Sequence, residues 1–190
     1  MLLEPITRTF TGSGEFADYR ARRGDKLSIE GIAPSSFPFI VASIFNADPA
    51  QTLVVTKNAQ VMQEFALDLS CFTYPRNVYT LAPYETLPYE FVSPPEKVLR
   101  DRVTTLYKMA DGGPCVVVAS VESLMRSVPP RAFLLKKGIT LAAGEEYPFV
   151  DIAAALVDYG YTREYRVESF GQFSIKGGII DVFLPTGDNP

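Results

Sequence analysis

Apolar residues along the chain follow two periods, and segments of the two kinds alternate. Short apolar runs typical of buried strands are separated by longer segments in which apolar residues recur every three to four positions, as in amphipathic helices. The predicted strands are residues 27–32, 52–56, 78–82 and 114–120. The predicted helices are residues 16–23, 36–46, 59–69 and 121–128. This alternation predicts an α/β fold, with helices on the faces of a parallel sheet.

The helix that starts after Ser93 has the clearest start signals in the chain. Ser93 supplies a capping hydroxyl, Pro94 suits the first turn, and Glu96 stands three residues after the cap. The glycine pair at 112–113 predicts the end of this helix.

The pattern changes after the proline pair at 129–130. A helix is predicted at residues 148–159, followed by strands at 162–168, 172–175 and 179–184. We therefore place a domain boundary near residue 131 and predict a smaller α+β domain over residues 132–190. Because the chain stops directly after an apolar strand, we expect this second domain to be truncated at its C-terminal end, with sheet partners beyond residue 190.

Composition narrows the range of functions. Eighteen Lys and Arg residues stand against 22 Asp and Glu residues, a net charge of -4, so no overall field attracts the chain to DNA. The apolar runs are shorter than a membrane span and the first residues carry no basic signal sequence, so we expect a cytoplasmic protein.

Catalytic and metal chemistry is also restricted. The chain contains no histidine, which excludes Ser-His-Asp and Cys-His mechanisms and histidine-ligated metals. Cys71 and Cys115 are too few for a zinc site, and their apolar surroundings predict two buried free thiols. Asp181, inside an apolar run, could act as an acid, but the alternation of the strand favours a residue hydrogen-bonded at the rim of a sheet. We predict no catalytic residue and no metal site.

Residues 31–38 occupy the place where a phosphate-binding loop would join a strand to a helix. Phe37 and Pro38 stand where such a loop needs lysine and a hydroxyl residue, and Pro34 removes an N–H donor. The sequence therefore predicts a scaffold turn without a nucleotide, and no cofactor for this chain.

Several blocks of sequence resemble the transcription-repair coupling factor family, Mfd. The last block is also similar to a strand pair that Mfd shares with the excision-repair helicase UvrB. The blocks are residues 84–90 (YETLPYE), 102–107 (RVTTLY), 118–125 (VASVESLM), 135–138 (LKKG), 160–163 (GYTR) and 170–185 (FGQFSIKGGIIDVFLP).

The resemblance implies a noncatalytic module that binds the repair protein UvrA. Residues 1–131 would be a degenerate RecA-like, helicase-like domain without an ATP site, and residues 132–190 the UvrA-binding domain. ATP and magnesium would belong to motor domains elsewhere in the parent chain. RNA polymerase and DNA would be bound through other such domains.

The resemblance also implies the contact residues. The basic position before the glycine of the strand pair falls on Lys176, where the family more often has arginine; Gly177, Gln172 and Arg166 complete the candidate UvrA surface. Two alternatives stay open at this point. The first is a fragment of an active UvrB-like ATP-dependent helicase or nucleotide hydrolase, and the second is a direct DNA-binding module.

Overall fold

The computed structural model describes residues 9–22, 24–84, 94–136 and 139–184. The chain forms two compact units. Unit 1 consists of Met1–Pro83 and Gly112–Arg126, and unit 2 of Tyr84–Asp111 and Ser127–Pro190. Within the described ranges, no helix combines the length and the apolar character needed to cross a membrane.

The secondary structure alternates along the chain before it changes character in the last third. The helices are α1 (Gly14–Ala21), α2 (Phe37–Ala47), α3 (Ala59–Phe72), α4 (Glu96–Asp111), α5 (Val121–Leu124), α6 (Arg131–Lys136) and α7 (Phe149–Asp158). The strands are β1 (Thr52–Thr56), β2 (Val78–Leu81), β3 (Val116–Ser120), β4 (Thr162–Arg163), β5 (Gln172–Lys176) and β6 (Ile179–Val182).

Strand β3 is the centre of the parallel sheet in unit 1, where the strand order is β1-β3-β2. All of its residues are buried, and Val116 pairs with Thr52 on one side and with Val78 on the other. Val116 and Val118 join a core cluster with residues of α2 and α3, namely Ala42, Phe45, Met62, Ala66 and Leu69. Burial of one Val or Leu side chain contributes roughly 1.5–3 kcal/mol, so this cluster is a major source of the unit's stability.

Helix α3 follows from the spacing of its apolar residues and from its cap. Met62, Ala66 and Leu69 are buried and recur at helical spacing. The Asn58 side chain accepts a hydrogen bond from the Val61 backbone N–H at 3.0 Å, which satisfies one of the free donors at the start of the helix.

Unit 2 contains a mixed sheet in the order β4-β5-β6, with β4 parallel and β6 antiparallel to β5. Phe173 of β5 and Leu156 of α7 are buried apolar residues of this unit. On α4 the buried Arg102 places its guanidinium carbon 4.2 Å from the centre of the Tyr84 ring. The face of an aromatic ring attracts a cation, so the ring helps to offset the burial of this charge.

Both ends of α4 are tied to other parts of unit 2. The Glu96 carboxylate accepts a hydrogen bond from the Phe170 backbone N–H at 2.8 Å. Arg131 Nε donates to the Ala110 carbonyl oxygen at 2.7 Å, in the last turn, where carbonyls lack partners within the helix. These bonds join α4 to segments more than 20 residues away, which explains why it groups with unit 2.

The α/β fold class is confirmed, as are most of the predicted elements. Strands predicted at 52–56, 78–82 and 114–120 correspond to β1, β2 and β3, and helices predicted at 16–23, 36–46 and 59–69 correspond to α1, α2 and α3. The predicted helix 121–128 is shorter, ending at Leu124. The helix predicted after Ser93 is α4, although Ser93 itself and residues 85–92 lie outside the described residues.

Two strand predictions are wrong. Residues 27–32 form no strand, and Ile29, which would need a sheet neighbour to be covered, is 46% exposed. The predicted strand 162–168 is reduced to the two residues of β4, because the chain bends away from the sheet at residues 165–166. An alternating pattern gives a strand only where a partner strand can complete the hydrogen-bond ladder.

The predicted division into domains 1–131 and 132–190 stays a prediction. The compact units follow packing, and each is built from two separate stretches of chain, with α4 of unit 2 preceding β3 of unit 1. The expected truncation of the second domain, with sheet partners beyond residue 190, also stays a prediction.

The two cysteines differ, which corrects the prediction that both are buried. Both are free thiols; Cys115 is buried just before β3, whereas Cys71 is exposed on α3. Two residues after the buried Leu69, Cys71 has turned about 200° around the helix axis and so lies on the outer face.

A thiol reagent should therefore distinguish the two cysteines. In the native protein, excess maleimide should label Cys71 and leave Cys115 unmodified, because modification requires access to the sulfur. Mass spectrometry should detect a single adduct, and a second one after unfolding in urea. Cys71→Ser should abolish the native adduct. Equally fast labelling of both thiols in the native state would contradict the burial of Cys115.

Replacement of the arginine at the end of α4 should destabilise unit 2. Arg131→Ala removes the charged donor that bonds to the Ala110 carbonyl, and it removes a cation from the negative end of the helix dipole. We expect the free energy of unfolding to fall by about 1 kcal/mol. The urea midpoint measures this loss, and Arg163→Ala, which removes an exposed arginine from β4, is the matched control. Equal midpoints for the two variants would show that the Arg131 bond contributes nothing.

Candidate functional site

A two-residue turn organises the candidate site. Gly177 and Gly178 connect β5 to β6 with φ values of +54° and +87°. Two-residue hairpin turns with both φ angles positive have the twist that suits antiparallel strands, and glycine adopts them without strain. A Cβ at either position would meet no atom within 4 Å, so glycine is required here by the backbone angles and not by crowding.

The turn fixes a register that separates the two faces of the hairpin. Phe173 lies opposite Val182 and Ile175 opposite Ile180, which places apolar side chains on one face. On the other face Lys176 lies opposite Ile179, and Ser174 lies opposite Asp181. The Ser174 hydroxyl donates to Asp181 Oδ2 at 3.4 Å, so Asp181 is hydrogen-bonded on the polar face, as the alternation predicted.

A shallow groove lies on this polar face, and we call it the hairpin groove. Its volume is about 350 Å³, and it is lined by Arg166, Val167, Ser174, Lys176 and Asp181. The structure thus brings together Arg166 and Lys176, two of the four residues proposed from the sequence. Ser174 and Asp181 were not proposed, although their places opposite each other follow from a two-residue turn.

Arg166 is available for new contacts. Its Nε lies 3.8 Å from Glu168 Oε1, and the two side chains are 82% and 70% exposed. An exposed ion pair of this kind contributes little to stability, about 0–1 kcal/mol. Arg166 could therefore leave Glu168 and pair with a carboxylate of a binding partner at little cost in free energy.

Lys176 contacts an aromatic ring that the sequence did not single out. Its Nζ lies 3.5 Å from the centre of the Tyr165 ring, within the range of a cation–π interaction. Tyr165 belongs to the loop between β4 and β5, and no periodic signal in that segment marks it as part of the site.

The Gln172 side chain is engaged within its own unit. Its side-chain oxygen accepts hydrogen bonds from the backbone N–H groups of Glu168 and Ser169, at 2.9 Å and 3.0 Å. The amide therefore braces the loop that carries Tyr165 and Arg166, and Gln172 does not line the groove. Gly177 lies in the turn beside it. Whether Arg166, Gln172, Lys176 and Gly177 contact a partner stays a prediction.

The neighbouring Tyr161 adds no charge to this surface near neutral pH. Its ring packs edge-to-face against Phe170, with ring centres 6.4 Å apart. Burial raises the pKa of the Tyr161 phenol above its usual value of 10, so the group stays protonated.

The structure describes residues 31–38, where the sequence predicts a scaffold turn. The strand expected before the loop is absent, Pro34–Ser36 form a 3₁₀ turn, and α2 starts at Phe37 with Pro38 in its first turn. Across the described residues, no cluster of three or more Cys, Asp or Glu residues is placed to hold a metal ion.

Comparison with known proteins finds one matching family model and a set of similar proteins. Residues 139–190 match the family model of the UvrB interaction domain. The transcription-repair-coupling factor of Mycobacterium bovis is 35% identical over 175 residues, which cover 88% of this chain and 14% of that protein. The one from Myxococcus xanthus is 30% identical over 178 residues, 89% of this chain and 15% of that protein. The one from Staphylococcus aureus is 26% identical over 160 residues.

This chain thus spans about one seventh of the length of these relatives, with 14% of the Mycobacterium bovis protein and 15% of the Myxococcus xanthus protein covered. With 88% and 89% of this chain covered, the matches to the relatives extend over both units, and the family-model match contains β5 and β6. The resemblance inferred from the sequence is therefore confirmed: the chain is homologous to the amino-terminal UvrB-homology region of the transcription-repair-coupling factors, and residues 139–190 are its counterpart of the UvrB interaction domain.

Proposed function

We propose that this chain is a noncatalytic recruitment module of a DNA-repair factor and that it binds UvrA through the hairpin groove. The observation that carries the proposal is the match of residues 139–190 to the UvrB interaction domain. That range contains the whole β4–β6 sheet and every residue that lines the groove.

The chemistry of the groove is consistent with protein recognition. It offers two cations, Arg166 and Lys176, and a hydroxyl–carboxylate pair, Ser174 and Asp181, on the face of a sheet. The backbone that carries these side chains is held by strand pairing and by a braced loop, so a partner would meet them at fixed backbone positions. Preorganised groups lose less conformational entropy on binding than mobile ones.

The noncatalytic part of the proposal is supported by the sequence at residues 31–38. A nucleotide site would need a lysine and several N–H donors aimed at the phosphates. Phe37, Pro38 and Pro34 supply neither, and the loop does not follow a strand. We infer that this loop supports the fold of unit 1 and binds no nucleotide.

The activities of a complete coupling factor would then belong to the remaining six sevenths of the parent chain. We propose that ATP-driven movement, contact with RNA polymerase and contact with DNA all reside there. In this arrangement, the present chain contributes the link to excision repair.

Charge reversal at Lys176 should weaken the binding of UvrA without unfolding the chain. Lys176→Glu places a negative charge where the partner is expected to be acidic, and like charges in contact can cost several kcal/mol. We expect the affinity to fall about tenfold or more, measured by calorimetric titration of UvrA. The exposed position of Lys176 implies equal folding, which circular dichroism can check.

Lys97→Glu is the matched control for this titration. Lys97 is an exposed lysine on α4, outside the groove, and its reversal changes the net charge by the same amount. It should leave the affinity close to that of the wild type. Equal weakening by both substitutions would point to a general charge effect, and absence of binding by the wild-type chain would contradict the proposed function.

ATP with magnesium should leave the melting temperature of the chain unchanged. A ligand at a hundredfold excess over its dissociation constant stabilises the native state by roughly 2.7 kcal/mol, which for a protein of this size corresponds to about 5–10 °C. Differential scanning calorimetry with and without magnesium makes the comparison. A magnesium-dependent rise of several degrees would favour the alternative of an active nucleotide hydrolase.

A further inference from the structure

We propose that Tyr165 is a positioning residue of the hairpin groove. Its ring holds the Lys176 ammonium over the groove, so that the charge is presented in a fixed place to a single acidic group of the partner. The last step of this inference rests on the proposed function, since the partner in question is UvrA.

The exposure of Tyr165 is the first observation. The side chain is 85% exposed, so burial of apolar surface does not explain where the ring lies. Its specific contact is with Lys176, whose Nζ is 3.5 Å from the ring centre. The negative face of the ring attracts the ammonium, which gives the two side chains a preferred joint arrangement.

The backbone on both sides of this contact is held in place. Lys176 is the last residue of β5, in register with Ile179 of β6. The loop that carries Tyr165 is attached to the same strand, because the Glu164 N–H donates to the Phe173 carbonyl at 2.9 Å. The Gln172 side chain braces the loop further along, through Glu168 and Ser169. The Tyr165 ring and the Lys176 ammonium are therefore both anchored to β5, the ring through its loop and the ammonium directly.

The benefit of the contact is entropic. A lysine has a flexible stem of four carbons, and a free lysine loses much of its rotamer freedom when it binds a carboxylate. If the ring already restricts the Lys176 side chain in the free protein, less rotamer entropy is lost when the partner binds. The groove then binds more tightly without any additional contact to the partner.

The charges around the groove indicate which partner group would fit. Lys176 and Arg166 favour a carboxylate, whereas Asp181 lines the same groove and repels a second negative charge. The partner group that suits this arrangement is a single acidic side chain with a neighbouring hydrogen-bond donor that can bond to Asp181. An acidic tract or a row of phosphates would suit it less well. The repulsive element contributes to specificity as much as the attractive ones do.

The contact can be tested first without any partner. A proton that lies over a ring face is shifted upfield, so the ε-methylene protons of Lys176 should show an upfield NMR shift. Tyr165→Phe should preserve this shift and Tyr165→Ser should remove it. Tyr74→Ser, which removes another exposed tyrosine, should leave it unchanged. Absence of the shift, or its persistence in Tyr165→Ser, would overturn the inference whatever UvrA does.

The consequence for binding requires a double-mutant comparison. Tyr165→Ser should weaken UvrA binding by about two- to fivefold, the range expected for an exposed cation–π contact, and Tyr165→Phe should bind as the wild type does. In a Lys176→Gln background, Tyr165→Ser should have no further effect, because the ring acts through the ammonium.

Two other outcomes separate this inference from the proposed function. An equal loss of affinity in both backgrounds would mean that Tyr165 touches the partner directly, and would overturn its positioning role. An intact upfield shift in a wild-type chain that fails to bind UvrA would contradict the proposed function and leave the contact between Tyr165 and Lys176 established.

Discussion

The two-residue turn at Gly177 and Gly178 determines the register of β5 and β6, and the polar face of the second sheet depends on that register. With Lys176 opposite Ile179, Ser174 necessarily lies opposite Asp181, and Phe173 and Ile175 point to the other face. A slip of one residue would exchange the two faces, exposing Phe173, which is now fully buried, and burying the Lys176 charge. Positive φ angles at both glycines make the short turn possible, so these two residues control the site without contributing a side chain to it.

A second constraint is the attachment of the β4–β5 loop to the strand beside it. Backbone bonds join Thr162 to Gly171 and Glu164 to Phe173, at 2.8 Å and 2.9 Å, and the Gln172 amide satisfies two further N–H groups of the loop. The loop therefore presents Tyr165 and Arg166 beside the hairpin as a fixed surface. The Gln172 side chain thus orders the loop that carries two groove residues, as polar side chains often do where they can reach the backbone of their own loop.

Unit 1 is built around the central strand of its parallel sheet. Its stability comes from β3 and from the faces of α2 and α3 that cover Val116 and Val118. None of these cluster residues lies within residues 31–38, although Pro38 is itself buried in the first turn of α2. An α/β sheet of this kind does not by itself specify a chemistry, so the function of the chain has to be argued from a particular site.

The sequence by itself determined the features that depend on local chemistry: the strands around the Val116–Ser120 run, the periodic helices, and the alternation that favours a hydrogen-bonded Asp181 at the rim of a sheet. It could not determine what depends on partners distant in the chain. The run at 27–32 has a strand pattern but finds no neighbouring strand, and Cys71 lies in an apolar segment but on the outer face of its helix. The contact of Tyr165 with Lys176 joins residues 11 positions apart across a loop, and the bond from Arg131 to Ala110 spans 21. Such contacts are decided by the packing of whole elements, because periodicity records which face of an element is apolar and carries no information about what will cover it.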